Sequence, residues 1–207
     1  PGHDSLSLHA TGTGAFVVAG GGNNVSERYT SDLGMADGYG YSGTWGSQQR
    51  VPGTPGNAVK VWQLTGGGAP VLADSILVAS TSTVSDLQVS DDSKWLVTTT
   101  EFGSGAGIHA YELLTPGHPT FRAELKGVSL HTGTLATIGG KLYAFTAKDP
   151  ANCALRIYDL SAAATGTISQ ASSTPIPDHY CIHDTFVRDG YAFVFAWDEG
   201  LYLFDVG

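Results

Sequence analysis

The chain has 207 residues, of which 42% are hydrophobic, and it carries 28 glycines and 9 prolines. That is enough apolar material for a sizeable core and too much for a disordered chain, while the glycine and proline suit many short strands joined by turns. Only 14% of residues are charged and the net charge is −9, with no cluster of Lys or Arg, so nucleic acid and anionic membrane surfaces are disfavoured as partners.

In chain order, "GAFVVAG" at 14–20 reads as a first strand. A hairpin turns at "ADG" (36–38) into "YGYSGTW", followed by "AVKVWQL" (58–64) and "PVLADSILV". The second unit turns at "SDDSK" (90–94) into "KWLVTTTEF", then runs through "GIHAYEL" (107–113) and "PTFRAELKG". A third turns at "GGK" (139–141) into "KLYAFTA", then "ALRIYDL" (154–160) and "TISQASSTPI". The last turns at "RDG" (188–190) into "YAFVFAW" and ends with "GLYLFDV" (200–206). Asp, Gly and Ser clusters between apolar, β-branched and aromatic runs are hairpin signals, because Asp and Gly tolerate the positive φ of tight turns. No helical stripe competes, and no apolar run approaches the roughly 20 residues of a membrane-spanning helix.

Aligning Trp62, Tyr111, Tyr158 and Phe204 gives spacings of 49, 47 and 46 residues. Four strands in about 47 residues is the blade of a β-propeller, since one meander cannot bury both its faces and must stack on its neighbours. The predicted fold is thus all-β, a propeller of four-stranded antiparallel blades at approximately 30–78, 84–127, 129–176 and 182–207. The 14–20 strand either completes the last blade or belongs to a preceding one; of the two, a fragment of a larger ring is favoured, because six to eight blades is commoner. The exposed flanks of a partial ring invite self-association. Gly34, in an inner strand, is expected to weaken packing in its blade.

The stretches "ERYTSDLGMADGYGYSGTWG…PGNAVKVWQL", "SLHTGTLATIGGKLYAF…ALRIYDLS" and "IHDTFVRDGYAFVFAWDEGLYLFDVG" resemble the LVIVD-repeat proteins, over nearly the whole chain from Glu27 to Gly207. The resemblance implies a bacterial propeller, exported to the periplasm, the cell surface or the medium. It implies no settled activity.

In a propeller the first strand of each blade lines the central channel. The inner strands here begin Ser31-Asp32, Ser85-Asp86, His131-Thr132 and His183-Asp184, and the loops after the second strands bring Trp45, Arg50, Glu101, Phe102, Asp149, Trp197 and Asp198 to the same face. Two readings of these groups stand side by side. They fix register by bonding the neighbouring blade's backbone, or they form a ligand-binding rim of Asp32, Asp86, Glu101, His131, His183, Asp184, Trp45 and Trp197. In "HYCIH", His179, Cys181 and His183 alternate along an extended stretch, and imidazole and thiolate suit zinc or copper. His131, His183 and His179 are the candidate ligands for a divalent metal ion; the rim acids would suit calcium. Cys181 also has a candidate disulfide partner in Cys153, and an oxidised pair would remove the thiolate ligand; two free buried thiols are the third option.

The leading functional expectation is an exported binding or scaffold module whose ligand, an extracellular protein, a glycan or a small molecule, sits at the channel mouth. The alternative is a metal-dependent hydrolase or oxidoreductase using the same His/Asp rim. Fold alone cannot choose between them.

Overall fold

The structure is a computed structural model that describes residues 29–46, 56–64, 69–147, 153–176 and 181–207. Arg50, Asp149, His179 and the 14–20 strand lie outside the described residues, as does the side chain of Asp198. The described residues form fifteen strands and no α-helix. The first sheet holds β1 (Tyr29–Ala36), β2 (Tyr39–Trp45), β3 (Ala58–Gln63) and β4 (Val71–Leu77). The second holds β5 (Thr83–Val89), β6 (Trp95–Glu101), β7 (Gly107–Glu112) and β8 (Thr120–Lys126). β9 (Thr132–Ile138), β10 (Lys141–Ala147), β11 (Ala154–Asp159) and β12 (Ser169–Pro175) make the third. The fourth has β13 (Asp184–Arg188), β14 (Tyr191–Phe195) and β15 (Leu201–Asp205). In each sheet the strands are paired antiparallel in chain order.

The hairpin turns between first and second strands take the conformation their residues favour. Asp37-Gly38, Gly139-Gly140 and Asp189-Gly190 all have positive φ at both positions, which matches the right-handed twist of the flanking strands. The repeat extends to irregularities that the sequence does not announce. The third and fourth strands shift register between Val61 and Trp62, between Ala110 and Tyr111, and between Ile157 and Tyr158, the same place in three blades.

The sheets stack face to face as an arc: β1 packs on β5, β5 on β9 and β9 on β13, while β13 and β1 make no comparable contact, so the described residues do not close a ring. Each pair of neighbouring sheets shares one apolar cluster. Tyr41, Val59 and Val61 meet Leu87, Leu96 and Tyr111. Val97, Ile108 and Ala110 meet Leu130, Ala144 and Tyr158. Phe145 and Leu155 meet Ile182, Ala192 and Val194. This is the architecture of a β-propeller in which the blades supply one another's cores.

The expectation for Gly34 is corrected. A Cβ at this position would lie 3.1 Å from both Leu87 Cδ1 and Val89 Cγ2. The space is already filled from β5, so glycine here permits close approach of two inner strands.

Cys153 and Cys181 form a disulfide with a sequence separation of 28, tying the start of β11 to the segment that leads into β13. In chain-entropy terms a loop of this size stabilises by about 3–4 kcal/mol. Replacing both residues by serine should lower the unfolding free energy by about that amount in urea titrations; an unchanged midpoint would mean that the bond constrains nothing.

Candidate functional site: channel and rim

Strand register makes Ser31, Ser85, His131 and His183 equivalent, and likewise Asp32, Asp86, Thr132 and Asp184. The first two pairs do the same thing twice. Ser31 Oγ donates to Val84 O at 2.6 Å, and Ser85 Oγ donates to Leu130 O at 2.8 Å. Asp32 Oδ2 accepts from Leu87 N at 3.2 Å, and Asp86 Oδ2 accepts from Gly133 N at 2.8 Å. In each case the partner is the backbone of the next inner strand or of the residues leading into it. The third interface substitutes hydroxyls: Thr132 Oγ1 donates to His183 O at 3.0 Å, and Thr134 Oγ1 donates to Thr185 O. At the interface before it, Gly133 allows β9 to approach the second blade closely, because a Cβ there would lie 2.7 Å from Thr99 Cγ2.

Between the inner strands lies a cavity of about 730 Å³. Its lining includes Ser31, Asp32, Ser85, Asp86, Gln88, Thr132, Thr134, Asp184 and Thr185, and it extends to Asp91, Arg188 and Asp189 at the hairpin-turn end. Burial raises the Asp86 carboxyl to about 8; a hydrogen bond shared with Asp32 and the charges of Asp32 and Asp184 act in the same direction, opposed by the Gly133 N–H. Asp86 is therefore protonated at neutral pH rather than adding a second charge beside Asp32.

A second feature caps the opposite end. The rings of Trp45 and His131 meet edge to face at 5.7 Å, His131 and His183 lie 5.4 Å apart, and His183 meets Trp197 at 4.4 Å. Three blades thus contribute to one row of rings. The remaining blade adds Glu101, whose Oε2 lies 3.3 Å from His131 Nδ1. Trp197 is 56% exposed and has φ 44°, in the left-handed region. Phe102, at the corresponding loop of the second blade, is 53% exposed with φ 60°. A bulky residue held there costs on the order of 1–3 kcal/mol.

The predicted rim residues therefore separate into two groups. Asp32, Asp86 and Asp184 line the cavity, whereas Trp45, His131, His183 and Trp197 form the ring row and are not among its lining residues. Glu101 is buried, 4% exposed, and supports His131 from beneath. Asp91, Gln88 and Arg188 were not singled out in the sequence; Asp91 and Arg188 sit in or beside turns, where a polar residue carries no distinctive signal. The candidate metal ligands are brought together only in part. His131 and His183 are neighbours, Cys181 is in the disulfide, and among the described residues no group of three or more His, Cys, Asp or Glu is placed to hold a metal ion.

No family model and no curated protein matches the chain. Solved structures do. Sqt1 from Chaetomium thermophilum superimposes with a TM-score of 0.65 at 12% identity, over 87% of this chain and 44% of that one. The periplasmic gluconolactonase PpgL of Pseudomonas aeruginosa gives 0.62 at 13%, over 84% and 55%. The computationally designed protein Ika4 gives 0.58 at 18%, over 94% and 100%. The likeness establishes the propeller-type fold and nothing finer. The chain spans about half the length of the two natural proteins. No helix among the described residues is long and apolar enough to cross a membrane.

The Asp86 environment gives a pH test. The folded carboxyl holds its proton up to about pH 8, while the reference value is 3.8. Between these values the folded chain binds more protons than the unfolded chain, so this group's contribution is fully present below the lower value and is lost as pH rises through the upper one. Asp86→Asn should therefore gain stability relative to wild type as pH climbs through that window, by on the order of 1 kcal/mol per pH unit at most. Denaturant titrations at several pH values would measure it, and parallel stability curves would refute the assignment.

Proposed function

We propose that this protein is an exported propeller that acts as a binding module, its ligand docking at the channel end capped by Trp45, His131, His183 and Trp197. The observation that carries this reading is the ring row itself. Side chains from three blades converge at one end of the channel, and the outermost ring, Trp197, is exposed on a strained backbone. Strain of this kind persists where the surroundings impose it, and it clusters at functional sites. Exposed indole and imidazole faces beside a carboxylate suit a ligand with both a stacking face and hydrogen-bonding groups, such as a glycan. The Cys153–Cys181 disulfide supports an oxidising compartment, hence export, and the four in-register strand endings support placement among the LVIVD-repeat propellers.

The rival reading, a metal-dependent enzyme at the same rim, draws its support from the proximity of His131 and His183 and from the lactonase among the similar folds. Against it, His131 Nδ1 faces Glu101, and Cys181 is bonded to Cys153.

Screening soluble oligosaccharides and polar metabolites by thermal shift tests the proposal. A ligand at 100 times its Kd stabilises by about 2.7 kcal/mol. That stabilisation should disappear in Trp197→Ala and His183→Ala, both exposed positions whose own melting temperatures should stay near wild type. Binders indifferent to both substitutions would move the site elsewhere. Stoichiometric zinc, copper or iron in tag-free protein, lost in His131→Ala, would favour the enzyme.

A further inference from the structure

The two ends of the blade series expose faces that are buried wherever two described blades meet. Every buried contact between blades joins the leading face of one sheet to the trailing face of the next. In the first sheet the leading face includes Val59 and Val61, both 0% exposed. Strand register places Leu201 and Leu203 at those positions in the last sheet, and they are 56% and 58% exposed. The trailing face of the second sheet includes Leu87 and Leu113, 1% and 5% exposed. Their equivalents in the first sheet, Leu33 and Leu64, are 60% and 39% exposed, and Met35 beside them is 64% exposed.

The polar tether is also present without its partner strand. Asp32 and Asp86 each accept the N–H one place beyond the equivalent position on the next inner strand, from Leu87 and Gly133. Asp184 occupies the same position in the last sheet, but its Oδ1 accepts from the adjacent Thr185 N at 2.7 Å, within its own strand. The donor that the repeat prescribes for it is the N–H equivalent to Leu87 and Gly133, which in the first sheet is that of Leu33.

We propose that two copies of this chain close one ring head to tail, the last sheet of each docking on the first sheet of the other. Leu201 and Leu203 of one copy cover Leu33, Met35 and Leu64 of the second, and Asp184 takes the Leu33 N–H of the second copy. A second copy is the occupant that matches both flanks at once, and it brings the assembly to about the length of the natural propellers, of which one chain spans 44% and 55%. The channel, unclosed between β13 and β1, gains its missing wall from the partner.

Sedimentation equilibrium of the 207-residue chain, with Leu203→Glu and Met35→Glu variants, tests this. Wild type should have twice the 21.5 kDa chain mass, and each variant, folded by circular dichroism, should fall to one chain mass. Mixing the two variants should restore a two-chain species, because the unaltered last sheet of one still meets the unaltered first sheet of the other. A single-chain mass for wild type would overturn the proposal and leave the flanks to further blades of a longer polypeptide. A mass beyond two chains would overturn ring closure. If only one variant dissociates, or the mixture stays dissociated, the contact joins like faces and the head-to-tail arrangement is wrong.

Discussion

Everything in this molecule hangs on the bonds that run from the first side chains of each inner strand to the backbone of the next. Apolar contact holds the sheets together but is non-directional, and two stacked sheets could slide by a residue with little loss of buried area. Ser31 on Val84, Asp32 on Leu87, Ser85 on Leu130 and Asp86 on Gly133 remove that freedom. The bonds also settle polar backbone groups between the packed inner strands, where an unpaired buried N–H or carbonyl costs roughly 1–3 kcal/mol. Polar residues begin the inner strands because this is where one blade ends its self-sufficiency.

The fold was legible because its signals are local and repeated. Asp-Gly and Gly-Gly turns announce themselves, and four strand endings at spacings of 46 to 49 residues force a stacked arrangement. What could not be read depends on contact between blades. Gly34 looked like a packing defect until the side chains of Leu87 and Val89 were seen to fill its place. The shared register shifts before Trp62, Tyr111 and Tyr158 arise from cross-strand geometry that no residue type marks.

The rim follows from the same repetition, and the part each side chain takes in it does not. Equivalent positions in a repeat go to one end of the channel, so Trp45, Glu101 and Trp197 could be placed together from spacing alone. Their roles could not. Glu101 is buried against His131 while the two indoles meet the imidazoles edge to face, a division set by side-chain directions across all four blades. The disulfide stood as one of three options for Cys153 and Cys181, since pairing depends on how close two blades bring their strand starts. His179 falls outside the described residues, so the third candidate metal ligand has no place in this geometry.

The tethers and the proposed ring-row site meet at the start of β13, where His183 precedes Asp184, and this has a thermodynamic consequence. In the first two blades the acid is committed to the neighbouring strand. In the last, Asp184 bonds only within its own strand, and the exposed His183 and Trp197 stand beside it. Among the described residues, the channel acid with no bond to a neighbouring blade therefore lies on the last blade, one of the two whose flanks are open. Docking on that flank would redirect Asp184 and close the wall next to the ring row. A ligand resting on His183 and Trp197 would then meet a different surface in the closed and open states. Any such difference in affinity must appear reciprocally as a shift in the association constant. If both proposals hold, occupancy of the rim and closure of the ring would be coupled at the start of β13, where His183 adjoins Asp184.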